Sequence, residues 1–327
     1  MKENYKSILI NTFFIKKNLN LYQKITKMDI LPKNYNEFLS KKYWDSFFKK
    51  LEQKNNDSEF FEWYGEFPSF SPYLTPILLP SHHILNIGCG NSQFSEQLYD
   101  SGFPNIKNID FSEKVIKKMK KRSSKKRPEM SYDVQDVFAM KFEDNSFDVI
   151  IDKGTLDAVY PEDTEVNLTR VRGLFQKILE VLRPDGNYFI ISLLQEHILT
   201  AILESFEGLY VKIYEVLIEN SKMFPFLVQI KKIVNKNLNE KKVALDLRGK
   251  DQKEIWVQKG ECVKIIKELQ MKNNFTKNIK KLDLKQRFTL DIWDHQNSNN
   301  SLPKYTLIIV DSENKMVLNK VNKYLKN

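Results

Sequence analysis

The chain has 327 residues, 41% of them hydrophobic and 12% aromatic, with a formal net charge of +10. That length holds one large domain or two ordinary ones, and no apolar run reaches the roughly 18 residues that a membrane-spanning helix needs. Cys89 and Cys262, like the four histidines, lack metal-ligand spacing, so neither a disulfide framework nor a metal centre is expected, and a reducing, cytoplasmic setting fits best.

Residues 1–27 are acid-poor and lack arginine, and their short apolar patch, Ile8 to Ile15, is interrupted by Asn11 and Thr12. This pattern suits a flexible N-terminal extension better than a targeting segment. From residue 83 onward, short apolar runs alternate with helical periods. His83 to Gly88 reads as a buried strand, Ser92 to Ser101 as a helix, and Asn105 to Asp110 as a second strand. Ser112 and Glu113 open another helix. It runs into Lys117 to Lys126 (KKMKKRSSKK), the one dense basic cluster, placed where cations suit the helix dipole. Met130 to Val137 and Phe147 to Asp152 are the third and fourth strands. Glu165 to Leu182 is a long amphipathic helix that stops at Arg183-Pro184-Asp185-Gly186, and Asn187 to Leu193 is the fifth strand. A helix over Gln195 to Phe206 precedes two strands, Leu209 to Ile218 and Phe224 to Ile233, that have no helix between them. Alternation implies a mostly parallel α/β sheet, and the last two strands an antiparallel hairpin at its edge.

Beyond residue 233 the pattern changes. Asn235 to Lys253 is polar and charged and reads as a linker, Glu261 to Leu269 as a helix, and Arg287 to Trp293 with Tyr305 to Val310 as strands joined by the turn Gln296 to Ser301. The expected division is an extension over 1–27, a catalytic domain over 28–233 and a smaller α+β extension over 234–327. The two late strands are candidates for pairing with another chain as a homodimer, with a further domain, or with the edge of the main sheet.

The chemistry begins at Ile87-Gly88-Cys89-Gly90-Asn91-Ser92, directly after the first strand. Gly88 and Gly90 permit positive φ and close approach of a ligand to the backbone, at the carboxyl ends of the strands where open α/β sheets bind. Asp110 ends the second strand about 20 residues later, the spacing at which a carboxylate reaches ribose hydroxyls. The third glycine of the dinucleotide fingerprint is missing; its place is near Phe94. A pyrophosphate needs that room, whereas S-adenosylmethionine, which has no phosphate, does not. Asp136 and Asp152 end the third and fourth strands and complete a row of carboxylates along one sheet edge.

These residues, with Leu31-Pro32-Lys33, Tyr43-Trp44, Phe61 to Gly65 (FEWYG), Ser95 to Asp100 (SEQLYD), Asn108 to Ser112 (NIDFS) and above all Asp152 to Val159 (DKGTLDAV), give a chain that resembles the seven-β-strand methyltransferases acting on lysines of translation elongation factor 1-alpha. The resemblance covers about residues 28–233 and points to the N-terminal half of the two-domain members; Tyr305 to Ser312 resembles the start of their second half. It implies a Rossmann-like class I fold with a seven-stranded sheet and S-adenosylmethionine as cofactor. It further implies that Gly88, Gly90, Asp110, Phe111, Asp136, Val137 and Lys153 hold the cofactor under a cover formed by Trp44, Phe48 and Trp63. Phe48 stands where relatives often carry Tyr. The second half's glycine loop is not in this sequence, so the N-terminal methylation associated with that half is not expected.

The implied acceptor is a protein lysine. Its ammonium, with a pKa of about 10.4 in water, has to lose a proton before it can attack a methyl carbon. Asp157, within DKGTLDAV, is the candidate for orienting it, set against the alternative of a helix cap. Trp63 and Tyr64 can favour cationic groups through their ring faces. The competing readings are a small-molecule or RNA methyltransferase of the same fold, and a non-catalytic cofactor-binding scaffold. Against RNA stands Asp152-Lys153-Gly154-Thr155 after strand four, where base amino methylation commonly shows an Asn-Pro-Pro-Tyr type motif.

Overall fold

The computed structural model describes residues 32, 34–54, 60–218, 223–233, 242–247, 254–279, 288–292 and 305–309. The expected extension over 1–27 and the turn Gln296 to Ser301 lie outside them. The chain divides into two units, one spanning Pro32–Asn273 and the other combining Met1–Leu31 with Asn274–Asn327.

In the first unit a 3-10 turn, Tyr35–Leu39, leads into α1 (Lys41–Lys54), and α2 (Phe67–Leu74) follows. Next come β1 (Ile84–Ile87), α3 (Phe94–Asp100), β2 (Ile106–Asp110), α4 (Glu113–Ser123) and β3 (Ser131–Val134). After a short turn, Val137–Ala139, come β4 (Phe147–Lys153), α5 (Thr155–Val159), α6 (Glu165–Val181), β5 (Leu182–Ser192) and α7 (Glu196–Ser205). Strands β6 (Tyr210–Glu215), β7 (Phe226–Lys231), β8 (Lys242–Asp246) and β9 (Glu254–Gln258) precede α8 (Lys259–Ile279). The strands form one sheet in the order β3-β2-β1-β4-β5-β7-β6-β8-β9.

Local sequence explains most of these elements. Every residue of β1 is buried, as a strand covered on both faces requires. Ser112 and Thr164 cap α4 and α6, their hydroxyls accepting from the Val115 and Asn167 backbone N–H. The inward face of α6 carries Val171, Leu174, Phe175, Ile178 and Val181, and that of α7 carries Ile198, Leu199 and Ile202; both pack on the central strands. Strands β3, β2, β1, β4 and β5 run parallel, and β7 runs antiparallel to both β5 and β6. The stop signal at Arg183 to Gly186 does end α6. Its residues bulge within β5, whose pairing with β4 jumps from Phe147↔Leu182 to Val149↔Asn187 around Asp185 at φ 62.

Two expectations need correction. The sheet has nine strands rather than seven, so the β6–β7 hairpin lies inside it and not at its edge. The segment read as a linker contains β8, which pairs parallel with β6 and antiparallel with β9, so the sheet runs well past residue 233. The reason is physical: Val243, Ala244 and Leu245 are buried, but three apolar residues flanked by charges are too few to show a period. Helix α8 returns to the same core through Cys262 and Ile266. In the second unit, the two expected late strands, β10 (Phe288–Ile292) and β11 (Tyr305–Ile309), pair antiparallel with each other.

Membership of β8 in the sheet can be tested directly. Leu245→Ala should cost about 2–4 kcal/mol in urea unfolding of the full chain, as for a fully buried leucine. A solvated linker residue would change stability by no more than about 0.5 kcal/mol, and that result would remove β8 from the core.

Candidate active site

A cleft enclosing about 1000 Å³, part of it open to solvent, lies over the carboxyl ends of β1, β2 and β4. All ten residues expected to hold a cofactor line it: Trp44, Phe48, Trp63, Gly88, Gly90, Asp110, Phe111, Asp136, Val137 and Lys153. Asp152 and Asp157 do not.

The floor is the turn after β1. Gly88 has φ 60, and a Cβ placed on it would stand 2.1 Å from the Thr155 hydroxyl oxygen. That hydroxyl donates to the Ile87 carbonyl at 3.0 Å, so the tips of β1 and β4 meet where a side chain would be. Gly90 has φ 53, with the Phe48 ring packed against it. Asp110 is buried at the tip of β2. One of its carboxylate oxygens accepts from the Gly90 N–H at 3.0 Å and the other from the Ser112 N–H at 2.9 Å. Burial pushes its pKa up to about 6 against those two hydrogen bonds. Each oxygen retains a lone pair, so the carboxylate braces the loop and can still accept from a diol.

The cover is aromatic. The Trp44 indole N–H donates to the Phe38 carbonyl at 2.7 Å, which fixes the ring. Trp44 lies 6.0 Å from Phe48 and 6.4 Å from Trp63, and Phe47 stacks on Trp63 at 6.2 Å. On the far wall Asp136 caps the Val137–Ala139 turn by accepting from the Phe138 N–H, and the Arg170 guanidinium sits 4.5 Å above the Phe138 ring.

Lys153 is almost fully buried and paired. Its ammonium lies 2.7 Å from Glu62 and donates to the Trp63 carbonyl at 3.1 Å. Burial lowers its pKa, and Glu62 opposes that shift. Glu62 also accepts from the Ser92 hydroxyl and, at 2.6 Å, from the Gln93 N–H, so it ties the cover to the glycine loop. Sequence reasoning gave Glu62 no role. Its one signal was a lone carboxylate inside the aromatic run Phe61 to Gly65.

Two carboxylates act behind the cleft wall. Asp152 is fully buried and accepts from the Thr155 and Leu156 N–H groups and from the Tyr188 hydroxyl, with burial pushing its pKa up to about 7. It builds the start of α5 and is not the third member of a ligand-facing row. Asp157 accepts from the Ser192 hydroxyl at 3.1 Å and the Leu193 N–H at 3.2 Å, so it staples α5 to the end of β5. Burial raises its pKa to about 6, while those bonds and the Tyr64 hydroxyl favour its charge. Tyr64 at φ 65 and Leu194 at φ 47 hold left-handed backbone beside it, and Gln270 of α8 donates to the Leu193 and Leu194 carbonyls. Among the described residues no cluster of His, Cys, Asp or Glu could hold a metal ion.

Raised carboxyl pKa values set the sign of a pH dependence. Between the unfolded value of 3.8 and the folded value of about 6, folded Asp157 keeps a proton that the unfolded chain has lost. Its contribution to stability is therefore greatest at low pH and falls as pH rises through that interval. In urea unfolding at pH 4, 5 and 6, Asp157→Asn should make the stability slope less negative by up to about 1.4 kcal/mol per pH unit. An unchanged slope would place the Asp157 pKa at its ordinary value.

Comparison with known proteins gives this site a family. The family described as Methyltransferase domain matches residues 79–268. The eEF1A lysine and N-terminal methyltransferase of Bos taurus is 42% identical over 191 residues, covering 58% of this chain and 27% of that protein. Its Drosophila melanogaster homolog is 44% identical over 177 residues, 54% of this chain and 26% of its own length. EEF1A lysine methyltransferase 4 of Mus musculus is 37% identical over 164 residues, 48% of this chain and 62% of its own. Among solved structures, an S-adenosylmethionine-dependent methyltransferase from Methanosarcina mazei aligns with 14% identity and a TM-score of 0.42, covering 50% of this chain and 98% of that one. The chain spans about a quarter of the length of the first two relatives. With more than half of its length matched by the family, and with the glycine loop and Asp110 inside the matched span, the chain belongs to the methyltransferase-domain family.

Proposed function

We propose that the chain is an S-adenosylmethionine-dependent protein-lysine methyltransferase and that its acceptor is elongation factor 1-alpha. The observation that carries the cofactor reading is the joining of Gly88, Gly90 and Asp110 in one cleft beneath an aromatic cover. A nucleoside with an amino-acid tail suits these walls: a carboxylate for the ribose, exposed loop backbone for the tail, and rings for the base and the sulfonium. Asp110 would hold the ribose, Asp136 and Val137 the adenine edge and face, and Phe111 the ring beside it. Gly88 and its loop would hold the methionine end, with Lys153 alongside. The bound cofactor supplies a methyl group on a positively charged sulfur. The chain's own residues exclude water, align the acceptor nitrogen and keep that nitrogen neutral.

The acceptor side lies at Tyr64, whose ring packs against Gly154 on the cleft wall and whose hydroxyl interacts with Asp157. Asp157 is a positioning residue in this scheme. It holds the phenol and the end of β5 while aromatic surroundings depress the acceptor amine's pKa. The names of the curated relatives favour a lysine of elongation factor 1-alpha, and the DKGT sequence at the end of β4 disfavours a nucleic-acid base. We place the activity in the cytoplasm; among the described residues no helix is long and apolar enough to cross a membrane. Self-association through the C-terminal extension rests on the sequence reading alone, and sedimentation at two concentrations tests it.

Radiolabelled methyl transfer into total cytosolic protein, followed by peptide identification, tests the acceptor. Label on an elongation factor 1-alpha lysine is the expected outcome, and label confined to RNA or metabolites would replace it with a different substrate. For the cofactor, Asp110→Ala should abolish S-adenosylhomocysteine binding in calorimetry, whereas unchanged affinity would reject the ribose assignment. Asp157→Asn should lower kcat by about tenfold or more with cofactor affinity kept, as expected when only acceptor alignment is disturbed.

A further inference from the structure

Arg122, on α4, does not line the cleft, yet it grips the floor from behind. Its guanidinium donates to the Asn91 carbonyl at 3.3 Å and to the Ser92 carbonyl at 3.0 Å. It is held in place by Glu96 of α3, with Nε 3.0 Å from one carboxylate oxygen and Nη2 2.8 Å from the other. Both side chains are nearly buried, at 12% and 5% exposure, so water does little to screen the pair.

The carbonyl of one residue and the N–H of the next belong to one rigid plane and point in opposite directions. The Ser92–Gln93 peptide is therefore gripped at both ends: Arg122 on its oxygen, and Glu62 on its N–H at 2.6 Å. Glu62 in turn holds Lys153. Charges alternate along the whole path, from Glu96 through Arg122, the peptide dipole and Glu62 to Lys153. The path joins α3, α4, the glycine loop, the cover and β4, and it fixes which way the loop's amides face.

We infer that Arg122 is a positioning residue for the cofactor's amino-acid end, setting affinity through the orientation of the Asn91 to Gln93 backbone without touching the ligand. The inference rests on the S-adenosylmethionine reading of the cleft. Lysine at this position keeps the charge but loses the planar fork that spans two carbonyls and a carboxylate. Arg127 serves as the internal control. It reaches the same Glu96 at 3.4 Å with similar burial, but its other partner is Asp100 and not the loop.

The experiment is calorimetric titration of the full chain with S-adenosylhomocysteine, using wild type, Arg122→Lys, Arg122→Met and Arg127→Met. The expected result is a Kd raised about tenfold in Arg122→Lys and further in Arg122→Met, the scale of one or two lost charge-assisted hydrogen bonds, with Arg127→Met within about twofold of wild type. If Arg122→Met does not fold, Arg122→Lys against Arg127→Met carries the comparison. With radiolabelled methyl transfer, the KM for cofactor should rise in the Arg122 variants while the KM for acceptor holds. Equal affinity in wild type and Arg122→Lys overturns the inference alone, as does an equal loss in Arg127→Met, which would mark general destabilisation. Absence of binding in wild type overturns the cofactor reading, and the inference with it.

Discussion

Gly88 stands at φ 60 with Thr155 in the space that a Cβ would occupy, and the Thr155 hydroxyl reaches across to the carbonyl of Ile87. The floor of the cleft is placed by this approach of two neighbouring strand tips. Because no side chain separates them, the backbone after β1 turns sharply, and the Gly90 N–H comes within reach of Asp110 at the tip of β2. The start of α5 is fixed by the same contact, since Thr155 is its first residue and Asp152 receives its amide. Three adjacent strands thus share one arrangement of turns, and the floor of the site is a property of the parallel half of the sheet.

The electrostatics of that half follow from burial. Asp110, Asp152 and Asp157 all have pKa values raised chiefly by desolvation, and each is offset by hydrogen bonds from backbone or hydroxyl groups. Only Asp110 faces the cleft. The other two are engaged in shaping α5 and its junction with β5, an investment of buried charge in geometry that a purely apolar turn would not need. Lys153 and Glu62 add a nearly dry ion pair between the cover and β4. Its desolvation costs make it a weak source of stability but a specific one of alignment.

Much of this was legible in the sequence, for reasons that differ by residue. β1, β4 and the central stretch of β5 announce themselves as dense apolar runs, and the helices between them carry recognisable caps at Ser112 and Thr164. Gly88, Gly90 and Asp110 could be placed together because a turn and a strand tip have fixed relative positions in a parallel sheet. What could not be read were partnerships across the fold. Glu62 meets Lys153 and Gln93 from far away in sequence, and Asp152 looks like Asp110 until Tyr188 and the α5 amides claim its oxygens. β8 failed for another reason: three buried residues, Val243 to Leu245, carry too short a pattern to outweigh their charged surroundings.

The reversed direction of β7 has a consequence for the breadth of the cleft. Along β3, β2, β1, β4 and β5 the chain always exits on the same side, but next to β5 the neighbouring strand enters there, with Phe226 opposite Ser192. The row of adjacent outgoing loops is interrupted at that point and resumes with β6, which runs antiparallel to β7 and leaves the sheet at Glu215, opposite Phe226. Ser192 is also where the Asp157 carboxylate is anchored. The polarity switch therefore separates the unbroken row of outgoing loops that frames the cleft floor from a half, β7 to β9, in which entering and leaving strands are mixed, and Gln270 of α8 ties the end of that half back to Leu193 and Leu194.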